Sequence, residues 1–222
     1  MSYWLIVILV MIASAVVQAA LNSKFNKYGK VPGTLTGEET ALKMLQDNGI
    51  RDVTVRCVKG TLTDHYNPVN KTINLSEEVF YGRSVSAEAV AAHETGHAVQ
   101  HATGYAPLKI RSTLVPVTNF CNQAVSLVLL LGCIMINITP SVLWFGIALF
   151  AMTTIFSFIT LPVEVNASQR AVEWLEHAGI TDYSTTPMAK DALHWAAYTY
   201  VIAALGSLAT LLYYISIARS RD

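Results

Sequence analysis

Charged residues are absent from three stretches of the chain, 1–23, 112–163 and 192–218, and these stretches are strongly apolar. A membrane span needs roughly 20 mainly apolar residues at about 1.5 Å of rise each, so length alone assigns the spans. The first run, Tyr3 to Leu21, holds one, with Gln18 as its strongly polar residue near the end, where headgroups tolerate it. A cleaved signal peptide is the alternative for this run, which is short and ends in small residues, but the basic n-region of such a peptide is missing. The second run is long enough for two helices. Asn137-Ile138-Thr139-Pro140 near its middle supplies a turn, which predicts a hairpin of spans at about 115–137 and 141–161. The third run, Trp195 to Ala218, is a fourth span, with Tyr198, Tyr200, Tyr213 and Tyr214 toward its ends, where aromatic belts form.

The polar stretch between the first two runs changes pattern twice. Thr36 followed by Glu39 makes a capping box, and Asn48-Gly49 ends the helix it opens, at about 37–48. The β-rich runs Val53 to Val58, Thr61 to Tyr66 and Thr72 to Leu75 are separated by Lys59-Gly60 and by Asn67-Pro68-Val69-Asn70-Lys71, which predicts a small antiparallel meander. A second helix then starts at Ser86 as N-cap, with Glu88 in its first turn. It runs through the alanine-rich Ala87 to Ala102 and stops at Gly104.

Composition agrees with insertion in a bilayer. Of 222 residues 53% are hydrophobic and 14% charged, where a soluble domain carries about a quarter charged. The 15 basic and 15 acidic residues cancel, and no dense Lys/Arg patch exists to neutralise phosphates, which excludes a nucleic-acid binder. Cys57, Cys121 and Cys133 have no metal-knuckle spacing, and two of them lie in a charge-free run, so a reducing compartment fits better than a disulfide framework. Basic residues near span ends stay on the cytoplasmic side. Lys24, Lys27, Lys30, Lys109, Arg111, Arg170 and Lys190 would share one face, against Arg219 and Arg221 on the other, which places the polar segments in the cytoplasm of a multi-pass cell-membrane protein. The expected organisation is an anchor at 1–23, a polar segment at 24–113, a transmembrane hairpin at 114–161, a second polar segment at 162–194 and a final span with its tail at 195–222.

Within the second helix the chain reads His93-Glu94-Thr95-Gly96-His97, an H-E-x-x-H. Four residues advance a helix by about 400°, so the two imidazoles stack roughly 6 Å apart along the axis, close enough to share one tetrahedral ion. Zinc suits these donors. Glu94 is turned about 100° from His93, which makes it a general base beside the metal rather than a ligand. A catalytic zinc site takes three protein ligands and keeps a fourth position open. His101 lies two turns from His93, about 12 Å along the axis, and cannot reach the same ion. Glu164 is the better third ligand: an acid directly after a span, in Leu161-Pro162-Val163-Glu164, is costly at a bilayer edge. The hairpin returns the chain to the face it left, so all three can meet.

These pieces together resemble the YugP-like zinc membrane peptidases, a family more distantly related to HtpX and the membrane prenyl-protein proteases. The resemblance covers nearly the whole chain and is carried by Leu62-Thr63-Asp64-His65-Tyr66-Asn67-Pro68, Leu75-Ser76-Glu77-Glu78-Val79, the zinc motif with Gln100-His101-Ala102, Tyr105-Ala106-Pro107-Leu108, and Leu161-Pro162-Val163-Glu164. It implies zinc-dependent peptide-bond hydrolysis with Glu164 as the downstream ligand. The wider group carries an Asp four residues beyond that Glu where this chain has Ser168, which leaves Asn166 or Ser168 to orient the zinc-bound histidines.

The expected fold is therefore a mainly α membrane protein: four transmembrane helices with a zincin-like α+β catalytic segment made of the H-E-x-x-H helix and a small β-meander. The expected activity is a membrane zinc metalloendopeptidase with one Zn²⁺, whose partners are a protein or peptide substrate and the lipid bilayer. His65, Tyr66, Arg170 and His194 are candidates to stabilise the oxyanion. The competing reading is a non-catalytic zinc-binding adaptor or quality-control scaffold. A closed structural site would need a fourth protein ligand, and none sits near the motif. A small transporter using Glu164 is a weaker alternative, because the spans carry few other ionisable groups.

Overall fold

The structure is a computed structural model that describes residues 3–220; Arg221, one of the two basic tail residues weighed above, lies outside the described residues. The elements in chain order are α1 (Tyr3–Tyr28), α2 (Gly37–Asp47), β1 (Thr54–Val58), β2 (His65–Asn67), β3 (Thr72–Ser76), α3 (Glu77–Phe80), α4 (Val85–Ala102), α5 (Ala106–Ile134), α6 (Pro140–His177) and α7 (Thr186–Arg219). Four of these, α1, α5, α6 and α7, are long and apolar enough to cross a membrane. The fold is mainly helical with one small sheet, as the hydropathy pattern implies.

The chain divides into two compact units. One comprises the residues up to 16, 109–161 and those from 199 on. Its core is Val125, Leu129, Ile136, Leu143, Ile147 and Ala218. Outside that core Leu9, Ile12, Leu127, Leu130, Ile134 and Leu212 are all exposed. Such a density of uncovered aliphatic surface is what a bilayer covers and water does not.

The other unit, 17–108 and 162–198, holds every candidate site residue and is organised around α4. Of the 18 residues in α4, 14 are buried, because both flanks are covered. Ala87, Ala91 and Ala98 pack with Ala41, Leu45, Ile73 and Leu75 of α2 and the sheet. Ala89, Ala92 and Val99 pack with Ala171 and Leu175 of α6 and Ala189 and Leu193 of α7. The alanine-rich sequence is thus the mark of a helix approached closely from two sides. Its N-cap is Ser84, not Ser86: the Ser84 hydroxyl accepts the Ala87 amide at 3.3 Å. Ser84 is free to cap because it bridges Pro32 in extended conformation and buries Val85 behind it. Gly104, with φ +67°, follows the Thr103 C-cap and ends the helix where expected. The capping box at Thr36 is present as read, with both hydrogen bonds made.

The sheet is not the expected antiparallel meander. Its order is β1-β3-β2, with β1 parallel to β3 and β2 antiparallel to it. The Asn67–Lys71 turn does join a β2–β3 hairpin, and the Asn67 carboxamide oxygen accepts the Val69 and Asn70 amides. β1, however, takes the far side of β3. Every residue of β3 is buried, and a buried strand left at an edge would strand its backbone polar groups; the centre of the sheet satisfies both of its edges. Local turn residues carry no information about that longer-range pairing.

Glu88 is in the first turns of α4 as expected but faces inward, 1% exposed. Its Oε1 accepts the Thr34 amide at 2.6 Å, the Leu35 amide at 2.8 Å and the Thr34 hydroxyl at 3.0 Å, tying the loop before α2 to α4. Burial pushes its carboxyl above the usual glutamate value, against the pull of these donors. Glu88→Ala takes the acceptor from the Thr34 and Leu35 amides, which are only partly covered, and is expected to cost about 1–3 kcal/mol, read as a lowered melting temperature in detergent. An unchanged melt would show that the loop finds other acceptors.

Candidate metal centre

His93 and His97 project from one face of α4, their ring centroids 4.8 Å apart. Glu164 comes from α6, which does not stop at the end of its apolar stretch but continues through Pro162 to His177. The segment after the span is therefore helical, and Glu164 is presented from a helix interior. Its Oε2 lies 3.4 Å from His93 Nε2 and 3.5 Å from His97 Nε2. One donor atom from each residue lies within 4.8 Å of the other two, and the three residues are largely buried. Ligands about 2.0–2.2 Å from a tetrahedral zinc stand about 3.3 Å apart, so two imidazoles and one carboxylate at these separations fit zinc in both donor chemistry and spacing.

Each histidine is held at its other nitrogen. His93 Nδ1 is 3.1 Å from the Ser168 hydroxyl, and His97 Nδ1 is 3.1 Å from Gln100 Oε1. Burial disfavours the His97 imidazolium, but the neighbouring Glu164 carboxylate outweighs it and holds the His97 pKa above the ordinary histidine value. The helices carrying these groups approach closely: a Cβ built on Gly96 would lie 2.7 Å from the Ala167 carbonyl oxygen. Glu94, 9% exposed, does not join the ligand cluster. Its Oε2 accepts the Tyr66 backbone amide at 3.0 Å, so the edge strand β2 fixes its carboxylate.

Of the two residues expected to orient the histidines, Ser168 touches His93 directly. Asn166 works at one remove: its Oδ1 accepts Gln100 Nε2 at 3.0 Å and Arg170 Nε at 2.8 Å. Each of the oxyanion candidates has partners of its own. The Tyr66 hydroxyl is 2.8 Å from His101 Nδ1, and burial raises its pKa. His65 is exposed and bonds the Thr63 carbonyl and the Asn74 carboxamide. Arg170 is engaged with Asn166. His194 is exposed on α7, where it shares with Ser168 the wall of a cavity of about 470 Å³. Two participants were not singled out from the sequence. Gln100 follows His97 by three residues on a helix already read as buried, a signal that was available. The Tyr66 amide depends on sheet pairing and had no sequence signal.

Residues 3–219 match the model of a family described as "Putative neutral zinc metallopeptidase". The chain belongs to this zinc peptidase family. It is also 43% identical over 202 residues to the "Putative membrane protease YugP" of Bacillus subtilis (strain 168), covering 90% of this chain and 89% of that protein. No solved structure matches it. The convergence of His93, His97 and Glu164 thus lies in a chain whose family is named for zinc and whose relative is named for the membrane.

Proposed function

We propose that this zinc peptidase family member is a membrane-integrated metalloendopeptidase that cleaves membrane-associated or unfolded proteins, with one zinc held by His93, His97 and Glu164. The observation that carries this reading is the meeting of the three donors beside a carboxylate, Glu94, that is held by a backbone amide instead of by the cluster. A bound zinc supplies Lewis acidity, polarising a peptide carbonyl and making nearby water easier to deprotonate. Glu94 takes the proton of the attacking water and delivers it to the amide nitrogen as the C–N bond breaks. The Tyr66 amide orients the Glu94 carboxylate throughout. Ser168 and Gln100 hold the Nδ1 sides of the imidazoles, which keeps both Nε2 atoms turned toward Glu164.

β2 is an edge strand. In an antiparallel pair successive residues point their amide groups alternately toward and away from the partner strand, and the Tyr66 amide points away, to Glu94. An extended substrate running along that edge meets the general base directly. The basic residues flanking the spans support a cytoplasmic orientation for this face.

The test is metal removal. Full-length protein purified in detergent should hold about one zinc per chain and digest an unfolded protein; chelation should abolish digestion and added zinc restore it. Digestion by stripped protein, or purified protein without affinity for zinc, would overturn the proposal. Zinc binding with no cleavage of any unfolded or membrane substrate would favour the adaptor reading.

A further inference from the structure

We propose that Gln100 is a positioning residue that straps the two ligand-bearing helices together, setting the tautomer of His97 and the register of Glu164 at once. This rests on the zinc reading of the site. Gln100 is completely buried, and a buried carboxamide is tolerated only where its donors and acceptor are used. Its Nε2 donates to two oxygens of α6, the Val163 carbonyl at 2.8 Å and Asn166 Oδ1 at 3.0 Å. Asn166 Oδ1 is itself identified as the oxygen by the Arg170 Nε donating to it. Both partners of the Gln100 nitrogen are therefore acceptors, which assigns the amide orientation from the network. Its remaining atom, Oε1, can only accept, so His97 must carry its proton on Nδ1. In the neutral imidazole that a metal ligand must be, Nε2 is then the unprotonated nitrogen, on the side of Glu164.

The His93 side has no such constraint, because the Ser168 hydroxyl can donate or accept. Gln100 alone makes one imidazole tautomer obligatory. It also touches α6 through the residue immediately before Glu164, one helical turn along from where Gly96 meets Ala167. The two contacts run in opposite directions along the two helices, 96 to 100 on α4 and 167 to 163 on α6, and so define an antiparallel register. Glu164 lies inside that register. A shift of α6 relative to α4 would break the Gln100 bonds to α6 and displace the carboxylate in the same movement.

Full-length protein in detergent, titrated with zinc against a competing chelator and with Co²⁺ for its absorption spectrum, tests this without reference to activity. Gln100→Met keeps the volume but loses the acceptor and the donors; it is expected to weaken zinc binding about 10- to 100-fold and to alter the Co²⁺ spectrum. Gln100→Glu keeps an acceptor for His97 but loses the donors to Val163 and Asn166. It is expected to weaken zinc binding as well and to serve where Gln100→Met does not fold. Wild-type affinity and spectrum in a folded Gln100→Met, or wild-type or tighter affinity in Gln100→Glu, would overturn the strap while leaving the zinc site standing. A wild-type protein that binds no zinc would instead remove the reading on which the strap rests, and the strap with it.

Discussion

Replacing Glu94 by glutamine is expected to reduce peptide cleavage by about 100- to 10,000-fold while bound zinc is retained. The two halves of that result have separate causes. Glu94 is not among the three grouped donors, so its replacement removes no ligand. Its carboxylate accepts a hydrogen bond from the Tyr66 amide, and a glutamine oxygen accepts the same bond at the same place. Only the capacity to take a proton is lost. Turnover of an unfolded protein together with elemental analysis for zinc measures both. Cleavage at the wild-type rate would dismiss Glu94 as the proton acceptor. A loss of zinc along with activity would place Glu94 in the ligand set.

The second large effect comes from a residue with no side chain. In Gly96→Ala the new methyl would approach the Ala167 carbonyl oxygen to 2.7 Å and the carbonyl carbon and Cα to 3.3 Å. These are backbone atoms, which cannot rotate aside as a side chain would, so α6 has to move away from α4. Overpacking of this kind costs about 1–3 kcal/mol in stability. The greater consequence is at the site: Glu164 and Ser168 flank Ala167 on α6 and move with it, while His93 and His97 stay on α4. A misplacement of about 1 Å is enough to cost about 100-fold in rate. The variant is therefore expected to fold, to bind zinc more weakly and to lose at least that much turnover, approaching the behaviour of Glu164→Ala, which removes the ligand outright. Wild-type zinc affinity in a folded Gly96→Ala would show that the helices have slack at this contact.

Much of this was legible along the chain because the signals were local. The four long apolar helices follow from charge-free runs, since a bilayer penalises charge wherever it falls. The α2 capping box and the end of α4 at Gly104 follow from backbone groups that only particular side chains or φ values satisfy. His93 and His97 could be assigned to one helix face, with Glu94 turned aside from them, from helical pitch alone. Glu164 could be nominated because an acid beside a span is expensive without a partner. The errors lie where two local signals competed, as between Ser84 and Ser86, or where the partner was distant, as with β1 choosing β3.

The order of elements, the apolar spans and the identity of the chemical groups were thus determined by the sequence itself, through hydropathy, helical period and donor type. Tertiary structure alone decided that β3 is central, that the Tyr66 backbone amide meets Glu94, and that Gln100 and Ser168 hold the imidazoles. The physical reason is that a hydrogen bond between residues far apart in sequence depends on how two elements settle against each other. That settlement is governed by the close fit of small residues such as Gly96 and Ala167, whose meeting no periodicity along a single strand or helix can announce.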